Sequence, residues 1–402
     1  MKLALCLRLV AMLTLAAGYA RGQETSTELP STPNTNLFLK IEQVIIKAHT
    51  LFGSPVHLVI DGVGPGGGYG AGLGYTSPGN GPWSLRAKTV YTWNNYWSAE
   101  GVAAFKNRRA QVEAFARARE MRRLDYFGTG PESQLFNRTS YAYRDPVVGA
   151  DGRVRVTPWF ALGGRLEEIW PYARSGRRLP SIEQVFFPGG ATGLFTQPRF
   201  GRYQGSADIH LPAGAGDAFY QGTIARATYA IYDDQTDELF DFKRVDLEVK
   251  QTFAGIGVNH RLTLSGWASS STTDAGQEVP FALMPTLGGN SEIRSVHDDR
   301  LGSDGTQATL RGFRNLRFRD RNLLLLQAEY RVPLWKPVDA TVFADAGKVA
   351  AVRSDLDLTD LRRDFGFSLS MMKGWDTAVR IDVAFGSGEG ARVFLTVGDL
   401  NP

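Results

Sequence analysis

A chain of 402 residues, 43% of them hydrophobic, with a net charge of +4, holds one large domain or two ordinary ones. Its 45 basic and 41 acidic residues are spread evenly, which excludes the basic face that nucleic acid demands as a partner. A mean hydropathy of -0.21 fits a soluble protein and fits equally a membrane barrel whose lumen is polar.

The first residues set the compartment. Met1-Lys2 and Arg8 carry positive charge, Leu9 to Ala17 is apolar, and Gly18-Tyr19-Ala20 offers a small-residue cleavage site. Residues 1–20 therefore read as a Sec-type signal peptide cut after Ala20. Leu3-Ala4-Leu5-Cys6 resembles a lipoprotein box only faintly, because the apolar core follows it. Cys6 is the single cysteine and leaves with the signal, so no disulfide is expected in the mature chain. Past the signal no apolar run approaches the roughly 18–20 residues of a transmembrane helix. A membrane form must then be a closed barrel.

Residues 21–55 divide into a Thr-, Ser-, Glu- and Pro-rich leader and one short amphipathic helix. Leu37, Phe38, Ile41, Val44, Ile45, Ala48, Leu51 and Phe52 recur at helical spacing. This helix caps the periplasmic rim or plugs the lumen. The glycines of 62–74 suggest a phosphate loop, but no βαβ unit and no Gly-Lys-Ser/Thr ending accompany them. A glycine-rich first strand with a soft edge explains them better.

From residue 56 to the end at 402 the hydrophobic period is two. Val245, Leu247 and Val249 share one face, and Arg244, Asp246, Glu248 and Lys250 the other. Val379, Ile381, Val383 and Phe385 alternate with Arg380, Asp382 and Ala384 in the same way. Many such segments run about nine to fourteen residues, near the length of a tilted bilayer-spanning strand, and longer than a soluble sandwich usually has. Aromatics at segment ends (Trp83, Tyr91, Trp93, Tyr96, Trp97, Trp159, Trp170, Tyr172) read as interfacial girdles. The fold class is all-β: a transmembrane antiparallel barrel of about sixteen strands. Ala150-Asp151-Gly152 reads as a hairpin turn, 333–337 as a proline-bounded turn, and 288–320 and 348–360 as extracellular loops.

The stretch 310–347 carries the candidate site. On the segment from Asn322 to Val332, parity places Leu324, Leu326, Ala328 and Tyr330 outside. Gln327 and Glu329 lie inside, with Leu323 and Leu325. On Val338–Gly347 the same parity turns Asp345 inward. Two lumen acids invite a guanidinium from the preceding loop, whose fork pairs with carboxylates through two hydrogen bonds. An equal reading makes Arg311, Arg314, Arg317, Arg319 and Arg321 merely a basic extracellular loop. No nucleophile–base–acid set stands out. The five histidines lack metal-ligand spacing, and Asp298, Asp299 and Asp304 lack the oxygen pattern of a calcium loop. No cofactor, metal or catalytic residue is expected.

Leu310-Arg311-Gly312-Phe313, the run Arg317 to Asn322, Ala328-Glu329-Tyr330-Arg331 and Phe343-Ala344-Asp345-Ala346-Gly347 resemble the barrel of the BamA/TamA superfamily, also called the bacterial surface antigen family. Asp125 to Ser133, followed by Arg138 to Tyr141, is similar to another recurrent segment of these barrels. The resemblance covers about residues 56–398. It implies a sixteen-strand barrel in the outer membrane of a Gram-negative bacterium, with its sixth extracellular loop folded into the lumen. It also implies a latch in which Arg311 meets Glu329 and Asp345 on strands twelve and thirteen, with Gly312 and Phe313 completing the tip. The implied work is outer-membrane protein insertion, polypeptide translocation or envelope biogenesis. The alternative is a passive pore or a structural barrel. The implied partners are outer-membrane lipids, unfolded outer-membrane proteins and a separate periplasmic POTRA-containing protein. Two departures stand out. Fewer than 40 residues separate the signal from the first strand, too few for a POTRA domain. The chain also closes on Asp399-Leu400-Asn401-Pro402 rather than on an aromatic residue, so standard recognition by the assembly machinery is not expected.

Overall fold

The structure, a computed structural model, describes residues 55–397 except 80, 179, 187–188, 213–219, 237, 258, 290–308, 336 and 374–375. The signal, leader and amphipathic helix, Asp298, Asp299, Asp304 and the last five residues lie outside the described residues.

Antiparallel ladders join eighteen strands into one sheet. The first five are β1 (Val56–Gly62), β2 (Tyr69–Thr76), β3 (Trp83–Thr92), β4 (Trp97–Lys106) and β5 (Ala110–Tyr126). Next come β6 (Thr139–Arg144), β7 (Val147–Thr157), β8 (Phe160–Ile169) and β9 (Tyr172–Ser175). Only Asp145-Pro146 separates β6 from β7, and Trp170-Pro171 separates β8 from β9. A proline cannot donate to a ladder, and β5 accordingly pairs with β7 along its first half and β6 along its second. Each interrupted pair forms one stave of the wall.

The wall continues through β10 (Phe200–Pro212), β11 (Tyr220–Asp234), β12 (Phe242–Ala254) and β13 (Arg261–Thr272). A long connection holds the two-residue strands β14 (Thr286–Leu287) and β15 (Phe318–Arg319), which pair with each other. The last staves are β16 (Asn322–Trp335), β17 (Val338–Ala350), β18 (Arg362–Lys373), β19 (Asp376–Gly386) and β20 (Gly390–Val397). Counted as staves the wall has sixteen, and β16 and β17 are the twelfth and thirteenth. Its two edges meet: Tyr69 Oη donates to the carbonyl of Leu395 at 2.7 Å, joining the second stave to the last.

Burial along the staves inverts the logic of a soluble protein. Leu247 and Val249 are 53% and 48% exposed, whereas Glu248 between them is 8% exposed. Apolar side chains face outward and charged ones inward, as a bilayer outside and a polar lumen require. The connections 158–159 and 336–337 at one end are short, and those at the other (127–138, 176–199, 273–321, 351–361) are long. Exposed Trp83, Trp159 and Trp335 belt the short-turn end; Tyr91, Trp93 and Trp170 belt the other.

Four sequence expectations are corrected. Ala150-Asp151-Gly152 is no hairpin but the middle of β7, laddered to β5 on one side and β8 on the other. Arg165 Nε donates across that ladder to Asp151 at 3.2 Å, and the chain reverses near Trp159 instead. Full pairing on both sides outweighs local turn chemistry. Tyr96 and Trp97 leave the girdle: Tyr96 is fully buried and accepts the Arg123 N–H at 3.2 Å, while Trp97 Nε1 donates to Glu120 at 3.0 Å. The loop expected at 348–360 begins only after Ala350, and the turn expected at 333–337 narrows to 336–337, because β17 and β16 run on through those residues.

Candidate functional site

Beyond β13 the chain turns back into the lumen. Leu287, Leu310, Phe313 and Phe318 pack there against Trp267, Leu323, Leu325 and Val349 of the wall. This apolar contact seats the loop tip, and Phe313 is its anchor, 2% exposed. Arg311 is thereby aimed at the inner faces of β16 and β17, where Gln327 lies opposite Asp345 and Glu329 opposite Phe343.

The guanidinium of Arg311 is saturated with partners. Its Nε and Nη2 each lie 2.7 Å from one oxygen of Asp345, a bidentate pair. Nη1 donates to Glu329 Oε1 at 2.5 Å, and the cation sits 3.5 Å over the Phe343 ring centroid. Gln327 Nε2 donates to Asp345 Oδ1 at 3.1 Å and to the Thr309 carbonyl at 3.2 Å, tying strand to loop.

Gly312 follows where space has run out. A Cβ there would stand 2.4 Å from the Gly386 nitrogen and 2.6 Å from Asp364 Cβ. Gly312→Ala is therefore expected to destabilise the seated loop by about 1–3 kcal/mol through overpacking. Faster proteolysis between residues 309 and 321 in native detergent would report it, and unchanged cleavage would show that the approach relaxes freely.

A second layer was not singled out from the sequence. Arg380 on β19 donates through Nη2 to Glu329 Oε1 at 3.1 Å and through Nε to Asp382 Oδ1 at 2.9 Å. Ser368 Oγ donates to the same Asp382 oxygen at 2.7 Å. Asp382 lies 3.8 Å from Arg311 Nη1, so the two arginines and three acids form one buried network. Asp364, laddered opposite Asp345, is buried beside it with neither oxygen hydrogen-bonded. The alternation around Arg380 and Asp382 was legible; their proximity to Glu329, three staves away, was not.

The loop is clamped again farther out. Arg317 donates through Nε to Glu389 Oε1 at 2.5 Å, through Nη1 to Ser133 Oγ at 2.8 Å and through Nη2 to the Ser133 carbonyl at 2.7 Å. Gly130 N donates to the Arg319 carbonyl at 2.8 Å. The two sequence segments 125–133 and 310–322 thus meet in space. Burial pushes the Asp320 carboxyl in this loop above the usual carboxylate range.

No family model matches the sequence, and no curated protein matches it. Among solved structures, the chain is similar to BamA from Haemophilus ducreyi lacking POTRA domains 1–3, with a TM-score of 0.54 at 12% identity. That match covers 92% of this chain and 80% of the other. CdiB from Acinetobacter baumannii gives a TM-score of 0.49 at 10% identity, over 86% of this chain and 57% of CdiB. OccK3 (OpdO) from Pseudomonas aeruginosa gives 0.39 at 10% identity, over 86% of each chain.

Proposed function

We propose that this chain, which has the fold of a BamA-type outer-membrane barrel, resides in the outer membrane and aids protein insertion, polypeptide translocation or envelope biogenesis there. The observation that carries the reading is the seam. Among the described residues no backbone ladder joins β20 to β1; the Tyr69 Oη to Leu395 hydrogen bond bridges the gap. An unzipped edge presents N–H and C=O groups that must find partners in a bilayer, and a client strand supplies them. The stave behind the edge is also thinly built: Gly70, Gly72 and Gly74 alternate along β2 with no side chains to pack. The Arg311 network pins the loop to β16 and β17, and through Glu329 to β19 one stave short of the seam, so opening is confined to the seam.

The partners in this reading are lipids against the outer Leu and Val face, unfolded outer-membrane proteins at the seam, and a separate periplasmic POTRA-containing protein that delivers them. No catalytic role is assigned. A passive pore is the second reading, favoured by a lumen cavity of about 520 Å³ with polar walls.

Reconstitution into liposomes separates the two. Acceleration of a nascent barrel's folding by the purified chain is expected. Steady ion conductance with an unchanged folding rate would refute the insertion reading and leave the pore.

A further inference from the structure

A cluster near the loop end of β5 breaks the rule that charge faces the lumen. On β6, Tyr141 and Tyr143 belong to the core inside the wall, so Ser140, Ala142 and Arg144 face away from it. Register carries that outer face across the neighbouring staves. Tyr91, Trp97, Glu120, Arg144 and Tyr172 stand in one row over β3, β4, β5, β6 and β9. Glu120 is 1% exposed because guanidinium groups cover it. Arg174 Nη2 lies 2.6 Å from its Oε1, while Arg122 Nη2, Arg144 Nη2 and Trp97 Nε1 lie 3.1, 3.3 and 3.0 Å from its Oε2. Four donors fill a carboxylate's acceptor sites, and one negative charge answers three positive ones. Asp125, opposite Ser140 on the same face, repeats the pattern with Arg138 at 3.0 Å and with Arg178. In all five pairs the guanidinium is the more exposed partner. Glu183 on the adjoining segment accepts from Ser181 Oγ at 2.6 Å, and even with it counted the arginines lead five to three. The Arg144 and Arg174 side chains are 47% and 41% exposed, and each engages Glu120 through one nitrogen of a five-donor fork.

We propose that this cluster binds the phosphate headgroup of a lipid in the leaflet beside the long loops, with Arg144 and Arg174 gripping the phosphate oxygens. Planar forks already oriented by Glu120 match those oxygens, and the surplus of positive charge calls for an anion. Position selects a lipid as its source. The row includes Tyr91, 56% exposed in the aromatic belt of that end, and such belts sit at the level of the headgroups. Below the row, Val148 and Leu166 on the same face are 45% and 60% exposed and offer acyl chains an apolar wall. The inference rests on the barrel residing in a membrane, and it is independent of whether the barrel inserts proteins or conducts.

Native mass spectrometry of the full chain in detergent, titrated with phosphatidic acid or phosphatidylcholine, tests it. Saturable and preferential binding of phosphatidic acid is expected, weakened about tenfold by Arg144→Gln or Arg174→Gln. Either variant leaves Glu120 two cations and Trp97, so folding is expected to persist. If heat-modifiable migration shows otherwise, Arg144→Lys keeps the charge, loses the fork and is expected to weaken binding too; unchanged binding in it overturns the site. Arg353→Gln removes a charge from an exposed turn at the same end and is expected to leave binding unchanged. Equal affinity for the two lipids overturns the site. Equal losses in Arg353→Gln and Arg144→Gln would mean diffuse attraction and overturn it as well. Displacement of phosphatidic acid by equimolar inorganic phosphate would overturn the choice of a lipid. Folding into phosphatidylcholine nanodiscs checks membrane residence separately, so its failure is distinct from loss of the site.

Discussion

Replacing Arg311 by alanine is expected to unseat the loop and destabilise the folded barrel by about 3–5 kcal/mol, the usual cost of removing one partner from a buried ion pair. The magnitude follows from what is left behind. Asp345 is 2% exposed and would keep only the Gln327 Nε2 donor, 3.1 Å away, and the long 3.5 Å contact from the backbone N–H of residue 311. Glu329 would fare better, because Arg380 still donates to it. Urea midpoints of the reconstituted protein, with loop proteolysis as a local readout, measure the loss. Adding Asp345→Asn removes the stranded charge, so the double variant is expected to lie well short of the summed single losses, with a coupling of about 0.5–3 kcal/mol. Strict additivity would mean that the bidentate contact contributes nothing to the fold.

The wall was legible because its signal is local. Alternation such as Leu247-Glu248-Val249 needs no knowledge of neighbours, only of the period, and it recurs in stave after stave. The count of sixteen survives even where Pro146 and Pro171 cut the ladders, because a stave is defined by its run across the wall and not by unbroken hydrogen bonding. Parity likewise placed Glu329 and Asp345 inside. The failures were of another kind. Ala150-Asp151-Gly152 has turn chemistry, but β5 and β8 offer partners on both sides, and pairing outweighs propensity. Tyr96 resembles its girdle neighbours in sequence and differs only because the Arg123 amide lies within reach. Arg380 and Asp382 were visible on the polar face of their segment, yet nothing local records which stave faces which across a lumen. Contacts between distant staves are a property of closure, which one sequence does not encode by spacing.

Those distant contacts carry the second large effect. Arg380→Met is expected to cost about 3–5 kcal/mol, comparable to the loss of Arg311, although Arg380 belongs to the wall and not to the loop. Arg380 is fully buried, and methionine preserves much of its apolar stem, so the loss isolates the charge. Without it Asp382 retains only the Ser368 hydroxyl at 2.7 Å and a distant Arg311 at 3.8 Å. Glu329 retains only Arg311. A charge-neutral replacement behaves differently: Arg380→Met combined with Asp382→Asn removes the network's second cation together with its anion, and such paired removal is often close to neutral. Urea unfolding of the single and paired variants decides between two roles for the outer layer. Recovery in the pair marks it as charge compensation for Glu329 and Asp382. A loss in the pair as large as in Arg380→Met alone would instead place its weight in the hydrogen bonds that tie β18 and β19 to Glu329 of β16, making Arg380 a positioning residue for Arg311 through Glu329.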